Sequence, residues 1–285
     1  MLEILICYLI ARLKFRDYRH QPVTLSTVKK WLTQFDRDAW AGLRTLLRNV
    51  VYFSERDTRN TLSRLNRDLI LRLQQDGVKT KQIIYVQVAD AGSSSPMMLG
   101  MLRDIDRLDS LGCTLLDSKD VRGLTESTDR LQEGAIVYVD DFAGSGRQFC
   151  ESRDFVAEYV VGNFVEYFLA PSVCEEAVVN LKERGIEPKV GMVHRKRDRI
   201  LHPESAICSP RTKQSLVELC SRIDRKHGLG FRGMATMVVF YRNTPNSSPV
   251  ILRGNKRQIP FRGLVPRADD LPPHPQTQMP LDFPR

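Results

Sequence analysis

The chain has 285 residues, of which 42% are hydrophobic and 27% are charged. These proportions are those of an ordinary globular protein, and they exclude a mainly disordered, collagen-like or disulfide-stapled chain. The net charge of +9 suits a polyanionic partner such as nucleic acid, and equally a basic surface that faces only solvent. The six cysteines are spread singly without a CxxC pair, which predicts reduced thiols and a cytoplasmic location rather than a zinc site.

The first stretch of the chain, MLEILICYLIARL, is largely apolar, but a helix that spans a membrane needs roughly 20 such residues. No basic segment leads it and no small-residue cleavage site follows it. We therefore expect a helix that packs on the rest of the protein, and no membrane segment.

Apolar residues at helical spacing predict three helices between residues 24 and 77. The third helix has the stronger signals, because Ser54 and Asp57 form a capping box at its start and Asp76-Gly77 ends it. The expected N-caps of the first two helices are Ser26 and then Asp36 or Asp38.

Short apolar runs alternate with helical patterns from residue 83 to residue 193, which predicts an α/β fold with a mostly parallel, doubly wound sheet. The predicted helices between strands include one that begins at Pro96 and one that begins at Pro171. The predicted strands are 83–88, 113–116, 135–140, 164–170, 188–193 and 234–241. The predicted domains are an N-terminal helical subdomain (1–80), the α/β domain (81–252) and a basic, proline-rich and partly disordered tail (253–285).

The most informative segment is the strongest predicted strand, which ends in Asp140 and Asp141 and then enters a helix through a small-residue turn. Two adjacent acids at the end of a buried strand need a reason, and ligands of open α/β sheets bind at this edge. Free amides at the start of the helix favour an anion such as phosphate. The simpler alternative is an ordinary turn with a solvated acid pair. The predicted ligand loop consists of Ala143, Gly144, Ser145, Gly146, Arg147 and Gln148.

This segment resembles the phosphoribosyl pyrophosphate signature of type I phosphoribosyltransferases, in which four apolar residues precede two acids and a short small-residue loop. Asp140 and Asp141 match the acid pair, and Ser145-Gly146 matches the end of the loop. Phe142, Ala143, Gly144 and Gln148 differ from the usual residues. The resemblance implies that the acids contact ribose hydroxyls, that the loop binds the 5′-phosphate, and that ligand-bound Mg²⁺ lies near the acids.

The same family has a pyrophosphate loop after an earlier strand, and residues 89–95 (ADAGSSS) lie in the corresponding place. They would supply Asp90, Gly92, Ser93 and Ser94, although a flexible serine-capped loop explains the same residues. The poorly patterned segment 117–133 lies where the family has a mobile hood. After a later strand, His194, Arg195 and Arg197 are candidate contacts for an acceptor or for phosphate, with a solvent-facing histidine as the alternative.

Outer segments of the chain resemble, in their order, phosphoribosyltransferase-like proteins of bacterial conflict systems. These segments are WLTQF (31–35), LLRNVVYFSERDTR (46–59) and GLGFRGMATMVVFYRNTPNSSPVI (228–251). The resemblance implies a phosphoribosyl pyrophosphate or nucleotide ligand and a part in anti-phage defence, possibly beside a retron or another defence protein. If the chain is an enzyme, it is expected to be a phosphoribosyltransferase-type glycosyltransferase or to cleave a nucleotide's glycosidic bond.

Two other function classes remain open. Phe142-Ala-Gly-Ser-Gly146 looks like the cofactor loop of S-adenosylmethionine-dependent amino-DNA methyltransferases, but Asp141 replaces the usual proline and no target-amine motif follows. A non-catalytic nucleotide sensor or nucleic-acid-docking module is the second alternative. It is favoured by residues 1–80, which hold 15 Lys and Arg against 8 Asp and Glu, and by the basic run 194–199.

Overall fold

Residues 1–88, 94–254 and 261–268 are described by a computed structural model. Its α-helices are α1 (Leu2–Lys14), α2 (Leu25–Leu32), α3 (Trp40–Asn49), α4 (Glu55–Gln75), α5 (Ser95–Asp106), α6 (Val121–Leu131), α7 (Arg147–Ala157), α8 (Glu175–Lys182), α9 (Pro210–Ile223) and α10 (Val250–Arg253). Its strands are β1 (Val51–Phe53), β2 (Ile83–Gln87), β3 (Thr114–Asp117), β4 (Glu133–Val139), β5 (Phe142–Ala143), β6 (Asn163–Cys174), β7 (Glu187–His194) and β8 (Val238–Phe240). Across these ranges, no helix combines the length and the apolar character that crossing a bilayer requires.

The chain divides into two compact units, and the unit formed by residues 53–207 contains the main sheet. All strand pairs of this sheet are parallel, in the order β3-β2-β4-β6-β7, and β5 continues the path of β4 along β6. The predicted mostly parallel α/β fold is therefore confirmed. The chain enters the sheet at β2, passes to β3 at the nearer edge and returns to β4 on the other side of β2. The strand order consequently reverses between β2 and β4.

Helices cover both faces of the sheet. Successive strand residues point to opposite faces, so Tyr85 and Val137 pack with the apolar side chains of α4 and α5. Their neighbours Ile84 and Tyr138 pack on the other face with residues of α6, α7 and α8. Burial on both faces explains why these strands are continuous apolar runs without polar alternation.

Several predicted helix boundaries differ from the structure. The capping box at Ser54 and Asp57 is present at the start of α4, but Thr24 rather than Ser26 caps α2. The start of α3 has no side-chain cap, so neither Asp36 nor Asp38 serves there. The poorly patterned segment 117–133 is mostly helical, because it forms α6, where the Asp120 carboxylate accepts a hydrogen bond from the Gly123 amide at 2.9 Å. Its role as a hood stays a prediction.

The predicted helix at Pro171 is wrong, because β6 continues through this proline to Cys174 and α8 begins only at Glu175. Proline favours the first turn of a helix, but its fixed φ is also compatible with an extended strand. Here pairing with β7 on one side and with β5 beyond the proline overrides the local preference.

The second compact unit joins residues 1–52 to the chain from residue 208 onward. As expected, α1 packs on this unit, where it contacts α2 and α3 and buries Cys7 and Ala11. The indole Nε1 of Trp31, which is 2% exposed, donates a hydrogen bond of 2.7 Å to the carbonyl of Ile251. The predicted strand 234–241 is limited to β8, which pairs with β1 in a separate two-stranded sheet.

These compact units are not divided where the sequence suggested, since α4 packs in the core of the sheet-containing unit. Compactness is a different criterion from a domain boundary, so the boundaries at 80 and 252 stay a prediction. Most of the predicted tail, at 255–260 and 269–285, lies outside the described residues.

Candidate functional site

The candidate site lies where the strand order reverses, at the carboxyl ends of β2 and β4. Ser95, the first residue of α5, connects the two strands there. Its hydroxyl accepts a hydrogen bond from the Val88 amide at 2.8 Å and donates one to the Val139 carbonyl at 2.5 Å. Because Ser95 is fully buried, these bonds hold the N-terminus of α5 at the crevice in which open α/β sheets bind their ligands.

Three of the predicted site residues are in direct contact in this crevice. The Ser94 hydroxyl oxygen lies 2.5 Å from Oδ1 of Asp140 and 2.5 Å from Oδ1 of Asp141. Ser94 is the N-cap residue of α5, but its side chain makes no capping hydrogen bond to the helix. The hydroxyl therefore serves the acid pair instead of the helix.

Protonation of the acid pair follows from this geometry. Burial, together with the negative charge of Asp141, raises the pKa of Asp140 to about 8, although hydrogen bonds from Ser94 and from the Asp141 amide oppose the rise. A serine hydroxyl has one proton and can donate to one of the two carboxylates at a time. A proton on Asp140 satisfies the other short contact, which is consistent with the raised pKa of this carboxyl.

The backbone of the acid pair leaves the sheet for two residues. β4 pairs with β6 as far as Val139, and pairing resumes at Phe142 opposite Ser172. The interruption lies beside Pro171, which has no amide proton to donate to the neighbouring strand. The Asp140 amide still donates to the Leu169 carbonyl at 3.1 Å. The acids therefore lie at an interruption of the strand pairing, and the backbone on both sides of this interruption pairs with β6.

The predicted ligand loop, residues 143–148, continues from β5 into α7. Gly146 is the N-cap of α7 with φ of +71°, and a Cβ added there would lie 3.3 Å from both Cα and Cβ of Ala177. Glycine is therefore required by conformation as well as by space. The side-chain amide of Asn180 donates to the Ser145 carbonyl at 2.6 Å, which holds the loop from its other side. Arg147 pairs with Glu151 along the helix surface, and Gln148 is exposed.

The oxygen donors at this point are of the type that Mg²⁺ takes. Within the described ranges, no group of three or more His, Cys, Asp or Glu side chains is arranged to hold a metal ion. Asp140, Asp141 and Ser94 nevertheless present hard oxygen donors together. Mg²⁺ commonly binds one or two carboxylates and completes its shell with water and substrate phosphates. The residues present fit such an ion and do not form an all-protein cage.

Not every predicted contact joins this cluster. Asp90, Gly92 and Ser93 of the predicted pyrophosphate loop lie outside the described residues, so only Ser94 of that group is located. His194 ends β7, which β6 separates from β4 in the sheet. This histidine is 1% exposed, so the alternative of a solvent-facing side chain is wrong. Burial and the nearby charge of Arg199 lower the pKa of His194 to about 4, which leaves it neutral at pH 7.

Arg195 and Arg197 are exposed. The cation of this segment that is buried is Arg199, which was not predicted as a site residue from the sequence. Its guanidinium forms two hydrogen bonds to the Glu176 carboxylate, at 2.8 and 2.5 Å, and a third to the His194 carbonyl at 3.0 Å. The pair ties the segment after β7 to the first turn of α8. Because Arg199 lies in a run of six mostly charged residues, its burial could not be predicted from the sequence.

A cleft of about 400 Å³ between α4 and β7 is another candidate location. Its two cations, Arg72 and Lys189, both bind the Glu187 carboxylate, at 2.8 and 2.7 Å. It contains no pair of neighbouring acids and no left-handed glycine at a helix start, so it lacks the features that single out the end of β4. The cleft is lined by Leu65, Asp68, Leu69, Arg72, Pro188, Lys189 and Val190.

Comparison with known proteins identifies the family of this chain. The model of the PRTase-CE family, where PRTase denotes phosphoribosyltransferase, matches residues 28–267. No curated protein matches the chain. Orotate phosphoribosyltransferase from Aeropyrum pernix is a similar solved structure, with 20% identity over 44% of this chain and 67% of that chain and a TM-score of 0.30.

Two further solved structures are similar at lower identity. Hypoxanthine-guanine phosphoribosyltransferase from Schistosoma mansoni in complex with IMP has 12% identity over 50% of this chain and 68% of that chain, with a TM-score of 0.33. A hypothetical protein from Neisseria gonorrhoeae with bound ppGpp has 13% identity over 51% of this chain and 85% of that chain, with a TM-score of 0.35. The fold class itself rests on the parallel sheet described above.

Proposed function

Because this chain belongs to the PRTase-CE family, we propose that it binds a phosphoribosyl compound, either phosphoribosyl pyrophosphate or a nucleotide, at the acid pair that follows β4. The observation that carries the proposal is the convergence of Asp140 and Asp141 on one hydroxyl, with both oxygen–oxygen distances at 2.5 Å. Two carboxylates that share a hydroxyl in this way are suited to the adjacent hydroxyls of a ribose. Their place at the reversal of strand order supports the same conclusion.

The remaining contacts follow from the elements around the pair. In the proposal, residues 143–148 receive the 5′-phosphate, because the N-terminus of α7 favours an anion and Gly146 lets the backbone approach closely. Mg²⁺ bound to the ligand would neutralise phosphate charge. A cation bound beside the pair would favour the ionised form of Asp140, whose proton would pass to solvent, since a nearby positive charge stabilises a carboxylate.

A catalytic form of this proposal is loss of the leaving group from the anomeric carbon of the ribose. Positive charge then develops on the sugar ring, and the carboxylates of Asp140 and Asp141 stabilise it electrostatically. The structure names no acceptor, so the proposal is limited to the phosphoribosyl donor or nucleotide. The role in bacterial anti-phage defence is also proposed, and it is supported by the ordered resemblance of segments 31–35, 46–59 and 228–251.

The ligand is tested by thermal unfolding of the full chain with Mg²⁺ and, separately, phosphoribosyl pyrophosphate, GMP, AMP and S-adenosylmethionine. A ligand that binds only the folded state raises the midpoint by mass action. We expect phosphoribosyl pyrophosphate or a nucleotide to raise it in the wild type and not in the Asp140→Asn/Asp141→Asn variant. The ligand-dependent increment is compared, because the substitutions also change the stability without ligand.

The matched control is Asp104→Asn/Glu158→Gln, which removes two exposed acids from the same compact unit. This variant should keep the full increment. An increment that persists in the double-Asn variant contradicts the assignment of the acid pair, and an increment with S-adenosylmethionine alone favours the methyltransferase alternative.

The proposed defence role is tested separately. Bacteria that express the wild type should give fewer phage plaques than bacteria that express the double-Asn variant. Equal plaque numbers would contradict it.

A further inference from the structure

The two compact units differ in net charge, and only one of them has a net positive charge. The unit of residues 53–207 holds 21 Lys and Arg against 25 Asp and Glu, a net charge of −4. The unit formed by 1–52 and 208–285 holds 22 Lys and Arg against 9 Asp and Glu, a net charge of +13. A charge difference of this size between parts of one chain is typical of a surface that binds a polyanion.

Within the basic unit, a group of exposed cations lies in the last turn of α9 and in the segment that follows it. Arg222, Arg225, Lys226 and Arg232 are all exposed, and none forms an ion pair within the described part of the chain. The one acid of this segment, Asp224, is buried. Its Oδ1 accepts hydrogen bonds from the amides of Lys226 at 3.0 Å and His227 at 2.8 Å, while Oδ2 lies 3.9 Å from Nη2 of Arg253. The buried acid of this turn is therefore bound within the protein, while its cations face outward.

The segment that follows holds an aromatic ring beside these cations. Phe231 is 41% exposed, and the Arg232 guanidinium lies 5.7 Å from the centre of its ring. The backbone below is tightly constrained, because a Cβ at Gly230 would lie 2.2 Å from the Ser247 carbonyl oxygen and Arg232 itself has φ of +54°. The Phe231 amide donates to the Asn246 carbonyl at 3.0 Å. Strained backbone that presents an apolar ring to solvent is characteristic of binding surfaces.

We propose that this segment, residues 222–232, is a binding surface for single-stranded nucleic acid. Arg222, Arg225, Lys226 and Arg232 would contact the phosphate backbone, and a base would stack on Phe231. Proteins that bind single strands without strong sequence preference combine these two features, a basic path and an exposed aromatic side chain. The proposal is independent of the phosphoribosyl site, since it concerns residues of the other compact unit.

The charge contribution is tested on the full chain by fluorescence anisotropy with labelled dT20, U20 and a 20-base-pair duplex over a series of salt concentrations. The test variant is Arg222→Gln/Arg225→Gln/Lys226→Gln. Loss of three phosphate contacts should weaken single-strand binding and reduce the salt slope of log K by about 2. The matched control, Arg56→Gln/Arg59→Gln/Lys81→Gln, removes the same charge from exposed sites of the acidic unit and should bind like the wild type.

The stacking contribution is tested with Phe231→Ala, which should weaken binding of dT20 or U20 about tenfold and leave duplex binding unchanged. Inorganic polyphosphate serves as a polyanion without bases. Three outcomes would overturn the proposal: wild-type protein that binds polyphosphate but neither single strand, equal losses in the test and control triple variants, or unchanged single-strand binding by Phe231→Ala. Preference for dT20 or for U20 distinguishes DNA from RNA as the source of the strand.

Discussion

At the scale of single residues, the acid pair behaves as one titrating unit. Asp140 and Asp141 share the Ser94 hydroxyl, and each raises the cost of ionising the other because their charges have the same sign. Asp140 holds its proton to about pH 8 in the folded chain, whereas an ordinary aspartate in the unfolded chain loses it near pH 4. The folded state therefore binds this proton more tightly than the unfolded state does.

The first prediction concerns the pH dependence of stability. Because the pKa of Asp140 is raised by folding, its protonation stabilises the fold fully at acidic pH, and this contribution is lost as the pH rises towards about 8. Asp140→Asn keeps a hydrogen-bonding group of similar size but cannot ionise. We expect the variant to be more stable than the wild type by about 1 to 3 kcal/mol at pH 9, with the advantage shrinking or reversing at pH 5. Urea unfolding at pH 5, 7 and 9 measures the difference.

Asp104→Asn is the control for this experiment, since it removes an exposed carboxylate of α5. The free energy of unfolding of this variant should differ from that of the wild type by a nearly constant amount across the three pH values. A difference between Asp140→Asn and the wild type that does not depend on pH would contradict the raised pKa.

The sequence predicted the acid pair and its loop but not how the acids are bound to the rest of the site. Asp140 and Asp141 stand out because adjacent acids at the end of an apolar strand conflict with burial. Their contacts with Ser94 join residues that are 46 and 47 positions apart along the chain, which no local pattern encodes. Burial of Arg199 was missed for a similar reason, because its partner Glu176 belongs to another element and its sequence neighbours are charged.

At the scale of elements, the connection from β4 to α7 depends on one left-handed residue. Gly146 has φ of +71° and packs on Ala177 of α8, so the start of α7 and the first turns of α8 are fixed against each other. A larger residue would meet both a conformational penalty and a neighbour at close range.

The second prediction is that Gly146→Ala lowers the free energy of unfolding by about 1 to 3 kcal/mol, measured by urea denaturation. Gly100→Ala is a control of opposite sign. Gly100 lies inside α5 with nothing within 4 Å of an added Cβ, so alanine should stabilise the protein by up to about 1 kcal/mol. If both variants changed stability in the same direction, the left-handed conformation of Gly146 would not be what matters.

Elements with strong local signals were predicted well, and the errors have physical causes. The β2 and β4 strands are continuous apolar runs, and the start of α4 has a complete capping box, so their types follow from the sequence. Pro171 misled the prediction because a preference for helix starts is weaker than strand pairing on two sides. The polar α6 was missed because its two buried side chains, Leu124 and Thr128, are too few to give a clear periodic pattern.

At the scale of the whole molecule, the sequence of one compact unit is inserted into the sequence of the other. The sheet-containing unit is a single stretch, 53–207, while the basic unit is assembled from the two flanking stretches. The inserted stretch contains the complete main sheet and the helices on both of its faces. The two stretches of the basic unit, in contrast, are separated along the chain by the 155 residues of the other unit.

The third prediction follows from this arrangement. Residues 53–207 expressed alone should fold, because every strand of the main sheet and both of its apolar clusters are retained. The expected result is a single cooperative urea transition with far-ultraviolet circular dichroism typical of an α/β protein. At pH 7 the fragment, with a net charge of −4, should bind an anion exchanger, whereas the full chain should bind a cation exchanger. A fragment without a cooperative transition would contradict this independence.

The break in the sheet beside Pro171 has a consequence for the thermodynamics of ligand capture. Asp140 and Asp141 lie between two stretches of backbone that are each anchored to β6, so their positions are set before any ligand arrives. A site that is already ordered loses little conformational entropy on association, and more of the contact energy appears as affinity. If the proposed ligand binds at this end of β4, we therefore expect its association to involve little ordering of the acid pair.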